Sequence, residues 1–132
     1  MENKTETKEA IVRGNDVGIS TKHSIMICKF LKGKKLADAV KDLGEVLRMK
    51  RVIPMIGYEV PHKKGVPGRY PIKAVQVFIK LLKNLEANAN INGVDIHTAK
   101  LSAKADQASR PRRAGKYPGR KFKRTHILIT LK

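Results

Sequence analysis

The chain has a single cysteine, Cys28, which excludes a disulfide scaffold and a Cys-rich zinc site within it. No stretch approaches the ~18 consecutive apolar residues of a membrane-spanning helix, so no membrane partner is expected. The first residues, Met1 to Glu6, lack the apolar segment of a secretory signal. Cytoplasmic residence is the default expectation. Aromatic residues are 5% of the chain and tryptophan is absent. Acid is scarce in the second part: residues 61–132 hold only Glu86, Asp95 and Asp106, widely separated. That scarcity argues against a nucleic-acid enzyme, which needs carboxylates or a metal cluster beside its basic surface.

What is abundant is positive charge. Among 132 residues, Lys and Arg number 29 against 11 Asp and Glu, a net charge of +18. A compact fold with that charge repels itself unless a polyanion binds it. Hydrophobic residues make up 41%, enough for a core in one domain. We place that domain at residues 9–132, after a frayed N-terminus at 1–8. The charge is uneven: residues 1–60 carry 12 basic and 8 acidic side chains, and residues 61–132 carry 17 and 3. Within 107–124 there are eight basic residues and no acid: Arg110, Arg112, Arg113, Lys116, Arg120, Lys121, Lys123 and Arg124. Five of the eight are arginine, whose planar fork suits phosphate and stacks on bases.

Periodicity predicts the elements. A strand is expected over about 9–13, with Gly14, Asn15 and Gly18 as breakers. Ser20 is a candidate N-cap for a helix over about 21–32, ended by Gly33. Leu36, Ala39, Val40, Leu43 and Leu47 mark the core face of a second helix over about 36–50. Prolines and glycines between 51 and 70 predict a long loop without regular elements. Pro71 opens a third helix, about 71–91, which Asn92 and Gly93 end. From about 97 the period becomes two, through Ala99, Leu101, Ala103 and Ala105; it returns in Ile127, Ile129 and Leu131. The fold class expected is α+β: a small three-helix domain packed on a short antiparallel sheet, with a long protruding β-hairpin over about 104–126.

The hairpin outruns its core, because apolar alternation stops near Ala105 and resumes near Ile127. A two-stranded ribbon carrying eight like charges is unstable alone. Residues 106–124, with a tip near Arg113, are therefore expected to be poorly ordered until a polyanion surrounds them. Folded RNA fits such an arm better than B-form DNA, though sequence patterns leave both open. Cys28 reads as a core residue. Residues 14–18 lack the Gly-Lys-Ser/Thr ending of a phosphate loop and are expected to form a turn. Asp38, Asp42 and Glu45 read as a solvated helix face. His23, His62, His97 and His126 lack metal-ligand spacing, so no metal or cofactor is expected.

The ordered segments resemble a known family. Ser20-Thr21-Lys22-His23-Ser24, Leu31-Lys32-Gly33-Lys34 and Ala37-Asp38-Ala39-Val40 resemble the first two helices of the large-subunit ribosomal protein L-twenty-two family. Val60-Pro61-His62-Lys63-Lys64-Gly65 and Gly68-Arg69-Tyr70-Pro71-Ile72-Lys73-Ala74 are similar to its archaeal and eukaryotic branch. Glu86-Ala87-Asn88-Ala89-Asn90 resembles the end of its long helix. Arg110-Pro111-Arg112-Arg113-Ala114-Gly115-Lys116 and Lys123-Arg124-Thr125-His126-Ile127 are similar to its hairpin tip and returning strand.

The resemblance implies a structural constituent of the large ribosomal subunit. Such a protein binds rRNA of the 23S class, stabilises its fold during assembly and lines the nascent-peptide exit tunnel with its hairpin. Implied partners are that rRNA, neighbouring ribosomal proteins including L-four at the tunnel constriction, and the nascent peptide in transit. Implied rRNA-facing residues of the globular part are Lys22, His23, Lys32, Lys34, Lys35, His62, Lys63, Lys64, Arg69, Tyr70 and Lys73. In the hairpin they are Arg110, Pro111, Arg112, Arg113, Gly115, Lys116, Tyr117, Arg120, Lys121, Lys123, Arg124 and His126. The competing reading of the charge is a general nucleic-acid-binding or DNA-compacting protein.

Overall fold

The computed structural model describes residues 8–63 and 65–132. The expected fraying of the N-terminus therefore lies, but for Lys8, outside the described residues, as does Lys64. Three helices and a three-stranded antiparallel sheet form an α+β fold. In chain order the elements are β1 (Ala10–Val17), α1 (Thr21–Leu31), α2 (Leu36–Leu47), β2 (Ile53–Pro54), β3 (His62–Lys63), β4 (Val66–Arg69), α3 (Ile72–Asn92), β5 (Leu101–Gln107) and β6 (Thr125–Leu131).

The main sheet has the order β1-β6-β5, so the last strand lies in the middle. Alternation in β6 explains this position. Thr125, Ile127, Ile129 and Leu131 are buried, while the residues between them are half-buried. Each buried aliphatic residue heads a cross-strand row: Ala10–Leu131–Leu101, Val12–Ile129–Ala103 and Gly14–Ile127–Ala105. Helix α1 packs on β5, α3 packs on β1, and α2 packs on α3. Phe78, Leu82, Leu85 and Ala89 of α3 are fully buried, at the helical spacing that the sequence shows. Cys28 is a core residue, as expected; burial, with a smaller contribution from Asp106, pushes its thiol up to about 12.

Both open edges of the sheet are partly covered. On β1, the Asn88 and Asn92 side chains, one helical turn apart, donate to the carbonyls of Ile11 and Glu9 at 3.0 Å. On β5, the α1–α2 link bonds to Leu101 through Gly33 N–H and the Lys34 carbonyl, each at 2.9 Å. Gly33 and Gly93 end their helices in the left-handed conformation (φ 79° and 69°), as the sequence predicts.

Several expectations need correction. Strand β1 runs four residues past 13, because pairing with β6 carries it through Gly14. That glycine is a close-approach position rather than a breaker: a Cβ there would meet the Leu81 side chain at 3.3 Å. A bulge follows, with Asp16 at φ 52°. Helix α2 stops at Leu47, short of 50, because Met49 turns left-handed (φ 56°) without a glycine to signal it. The stretch 51–70 is not free of regular elements but holds a second small sheet, β2-β4-β3. Gly68 permits it, since a Cβ would overlap Val52 and the Ile53 carbonyl. Asp42 is not on a solvated face either. Its carboxylate is nearly buried and held between Lys34 and Arg51.

Beyond the Gln107–Thr125 pair the β5–β6 ladder becomes intermittent. Ala108 N–H bonds to the Arg124 carbonyl at 3.1 Å, Phe122 N–H to Pro111 at 2.9 Å and Arg113 N–H to Arg120 at 2.9 Å. The chain reverses after Arg113, between Gly115 and Gly119, both with positive φ. Arg113 therefore belongs to the stem of this reversal and not to its tip. Every residue from Ser109 to Lys123 is exposed.

Candidate nucleic-acid interface

Two helices begin on the same side of the molecule, α1 after Ser20 and α3 after Pro71. Neither has an acidic residue in its first turn, and neither is capped by a side chain. Their dipoles thus keep a partial positive charge at these ends, although the Ile72 N–H is already bonded to the Tyr70 carbonyl at 2.9 Å. A cleft of about 310 Å³ lies between them, lined by Ser20, His23, Lys73 and Lys123 among others. Such a place suits phosphate.

Three further depressions adjoin it. One, of about 360 Å³, is lined by Ser20, Lys22, His23, Met55, Tyr58, Glu59, Val60, Arg69 and Lys123. Another, of about 350 Å³, joins Ser20, Thr21 and Lys22 to Gln107, Arg110 and Lys123. The widest, about 800 Å³, is an open trough formed by Arg110, Arg113, Tyr117, Gly119, Arg120, Lys121 and Lys123. Lys123 lines all four. It is the point where α1, α3, β4 and the β5–β6 connection meet. The electrostatics show at His23: its pKa is lowered, first by partial burial and then by the charges of Lys123 and Arg69. The imidazole is neutral at neutral pH, a hydrogen-bonding group among cations.

Along the exposed connection, arginines lie over the few aromatic rings. Arg113 sits 4.5 Å and Arg124 5.5 Å from the Phe122 ring centre. Arg120 lies 5.1 Å and Lys116 5.8 Å from that of Tyr117. Arg110 braces the stem, its Nε donating to the Phe122 carbonyl at 3.1 Å. Arg112 bridges to Lys121 through the backbone, and the Pro111 carbonyl accepts from Phe122.

The structure brings together Lys22, His23, Arg69, Lys73, Arg110, Arg113, Arg120, Lys121 and Lys123. It does not add Lys32, Lys34 and Lys35 to that group. Those three follow the opposite end of α1, ~16 Å away at 1.5 Å per residue. Lys34 is paired with Asp42, and its amine lies 3.5 Å from the Phe30 ring centre. His62 is exposed on β3, and Lys63 continues that strand. Tyr70 is half-buried against the core. His126 faces away from the helices, its Nδ1 accepting from Asp16 N–H at 3.2 Å. Sequence reasoning missed Tyr58, Glu59 and Phe122. The signal for the two aromatics was present: rings within basic, Pro/Gly-containing segments are stacking platforms.

No protein-family model matches the chain. Individual relatives do. It is 40% identical to the large ribosomal subunit protein uL22 of Archaeoglobus fulgidus, over 90% of this chain and 79% of the relative. The chain belongs to the uL22 family. Similarity to uL22 of Methanoregula boonei is 34% identity over 79% of this chain and 76% of that protein. For uL22 of Methanococcus aeolicus it is 33% over 94% and 89%. As a uL22 protein the chain is not an enzyme. Among the described residues no helix is long and apolar enough to cross a membrane, and no three His, Cys, Asp or Glu side chains could hold a metal ion.

Proposed function

We propose that this uL22 protein is a structural component of the large ribosomal subunit. In this reading it clamps rRNA with the Lys123-centred face and inserts the 108–124 arm between rRNA segments, toward the path of the nascent peptide. The observation that carries the reading is the meeting of four separate chain segments, all cationic, around Lys123. The two uncapped helix starts and Lys22, Lys73 and Arg69 neutralise phosphates. The arm supplies guanidinium groups already stacked on Tyr117 and Phe122, which suits the unstacked bases of folded RNA better than a regular duplex. Free of RNA, the arm has few apolar contacts and many exposed like charges, so ordering on rRNA fits its composition. Family membership and the exposure of residues 109–123 support the further reading that the arm lines the tunnel, meets ribosomal protein L-four and borders the path of the nascent peptide.

Sedimentation of cell extract at moderate salt tests the reading. The protein should travel with large subunits; a protein found only in the free pool contradicts it. Competition between an rRNA fragment and duplex DNA at equal salt separates it from DNA compaction. Charge alone gives no preference, whereas the arm and clefts give one for the folded RNA.

A further inference from the structure

The cleft beside Tyr58 differs from the rest of the basic face. It contains an aromatic ring, with Lys22 Nζ 5.6 Å from its centre, and the apolar side chains of Met55 and Val60. It also contains Glu59, the one carboxylate among its lining residues. Phosphate neutralisation needs neither ring nor carboxylate, and Glu59 repels phosphate from the part of the cleft beside it. Together these groups match what an extruded base requires: a flat apolar partner, a hydrogen-bond acceptor for its edge, and cations for its backbone.

We propose that this cleft of about 360 Å³ takes one unpaired RNA nucleotide, its base against Tyr58 and its phosphates on Lys22, Arg69 and Lys123. The proposal rests on the rRNA-binding reading and names what one part of that surface recognises. Every RNA base carries at least one N–H on its pairing edge. In a duplex that group is used by the partner base, and only an unpaired base offers it to Glu59. His23, kept neutral by burial and by Lys123 and Arg69, adds a ring nitrogen for the base or ribose instead of a further cation.

The test uses the full chain and two RNA stems of equal length, one fully paired and one with a single bulged nucleotide. Fluorescence anisotropy at equal salt should give tighter binding of the bulged stem by about tenfold, the scale of one base stacked on an aromatic side chain. Tyr58→Ala should shrink the preference several-fold, and Tyr58→Phe, which keeps the ring, should restore it; a preference that Tyr58→Ala leaves intact belongs to the arm and overturns the cleft. Should Tyr58→Ala not fold, Glu59→Lys carries the test at an exposed position. Charge alone predicts that Glu59→Lys tightens both stems alike; the nucleotide cleft predicts that the bulged stem gains less and the preference shrinks. Iodouridine placed at the bulge should crosslink to Tyr58. Equal affinity for the two stems, or crosslinks confined to other residues, overturns the cleft and leaves the rRNA reading standing. Binding of neither stem overturns both.

Discussion

The hydroxyls of Thr21 and Thr125 lie 2.9 Å apart, joining the start of α1 to the start of β6. Thr125 is fully buried and donates its one proton to the Ile19 carbonyl at 3.0 Å. Thr21 must therefore be the donor to Thr125. This relay fixes the returning end of the basic arm to the helix end that carries Lys22 and His23. Thr125→Val, nearly the same shape, should lower stability by about 1–3 kcal/mol, because a carbonyl and a hydroxyl lose their partner. Urea unfolding measures the loss. In a double-mutant cycle with Thr21→Val the two effects should not add.

Asn88 and Asn92 act as covers for the β1 edge. Asn88→Ala with Asn92→Ala should cost about 1 kcal/mol per hydrogen bond and leave the Ile11 carbonyl of β1 and the Glu9 carbonyl just before it open to another chain. Light scattering on warming should show aggregation at a lower temperature than in the natural protein. Unchanged scattering and stability would deny them this role.

Gly68 is required for steric reasons. Gly68→Ala should destabilise the protein by about 1–3 kcal/mol, since the new Cβ overlaps the Ile53 carbonyl, which is backbone and cannot rotate away. Hydrogen exchange should quicken first at the β2–β4 pair, Ile53 and Arg69.

The His23 pKa, lowered by burial, Lys123 and Arg69, makes stability depend on pH. Below the ordinary histidine value of about 6.5 the unfolded chain takes up a proton that the folded chain resists, so stability falls as pH drops below that value. The loss levels off once pH passes below the folded-state pKa. Lys123→Gln should raise the His23 pKa, read from imidazole NMR titration, and His23→Gln should flatten the acid side of the stability curve. A His23 titration at or above 6.5 would contradict the arrangement.

The arm should be separable from the core. Removing residues 109–123 and joining Ala108 to Arg124 by an Asn-Gly turn keeps the 3.1 Å pair that precedes them. The thermal midpoint should shift by less than about 5 °C, while the salt dependence of rRNA binding should flatten by about 0.7 for each phosphate that the arm no longer neutralises. In the intact free protein, amides of 109–123 should exchange rapidly and gain protection on RNA. Global unfolding of the trimmed chain, or strong protection without RNA, would refute the division.

Much of this was legible in the residues. Helices α1 and α3 have their ends where Gly33 and Gly93 say they do, because only glycine enters the left-handed region freely. Strand β6 follows its alternation residue by residue. The misreadings share one cause, which is that local rules omit partners distant in sequence. Gly14 reads as a breaker, but Leu81 packs where its Cβ would sit. Asp42 reads as solvated, but Arg51 and Lys34 close on it. The small sheet in 51–70 exists because Gly68 admits a close crossing that composition does not reveal.

By itself the sequence determined the size of the positive charge, its concentration after residue 60, the three amphipathic helices and the two alternating strands at the C-terminal end. Those are properties of neighbouring residues, and they were enough to point to a polyanion. Only the tertiary structure decided which cations lie together. Placing β6 between β1 and β5 carries Lys123 to the starts of α1 and α3, whereas Lys32, Lys34 and Lys35, close to Lys22 in sequence, are carried to the other end of the same helix. The physical reason is geometric: a rigid helix separates residues that are near in sequence, and sheet pairing joins residues a hundred positions apart.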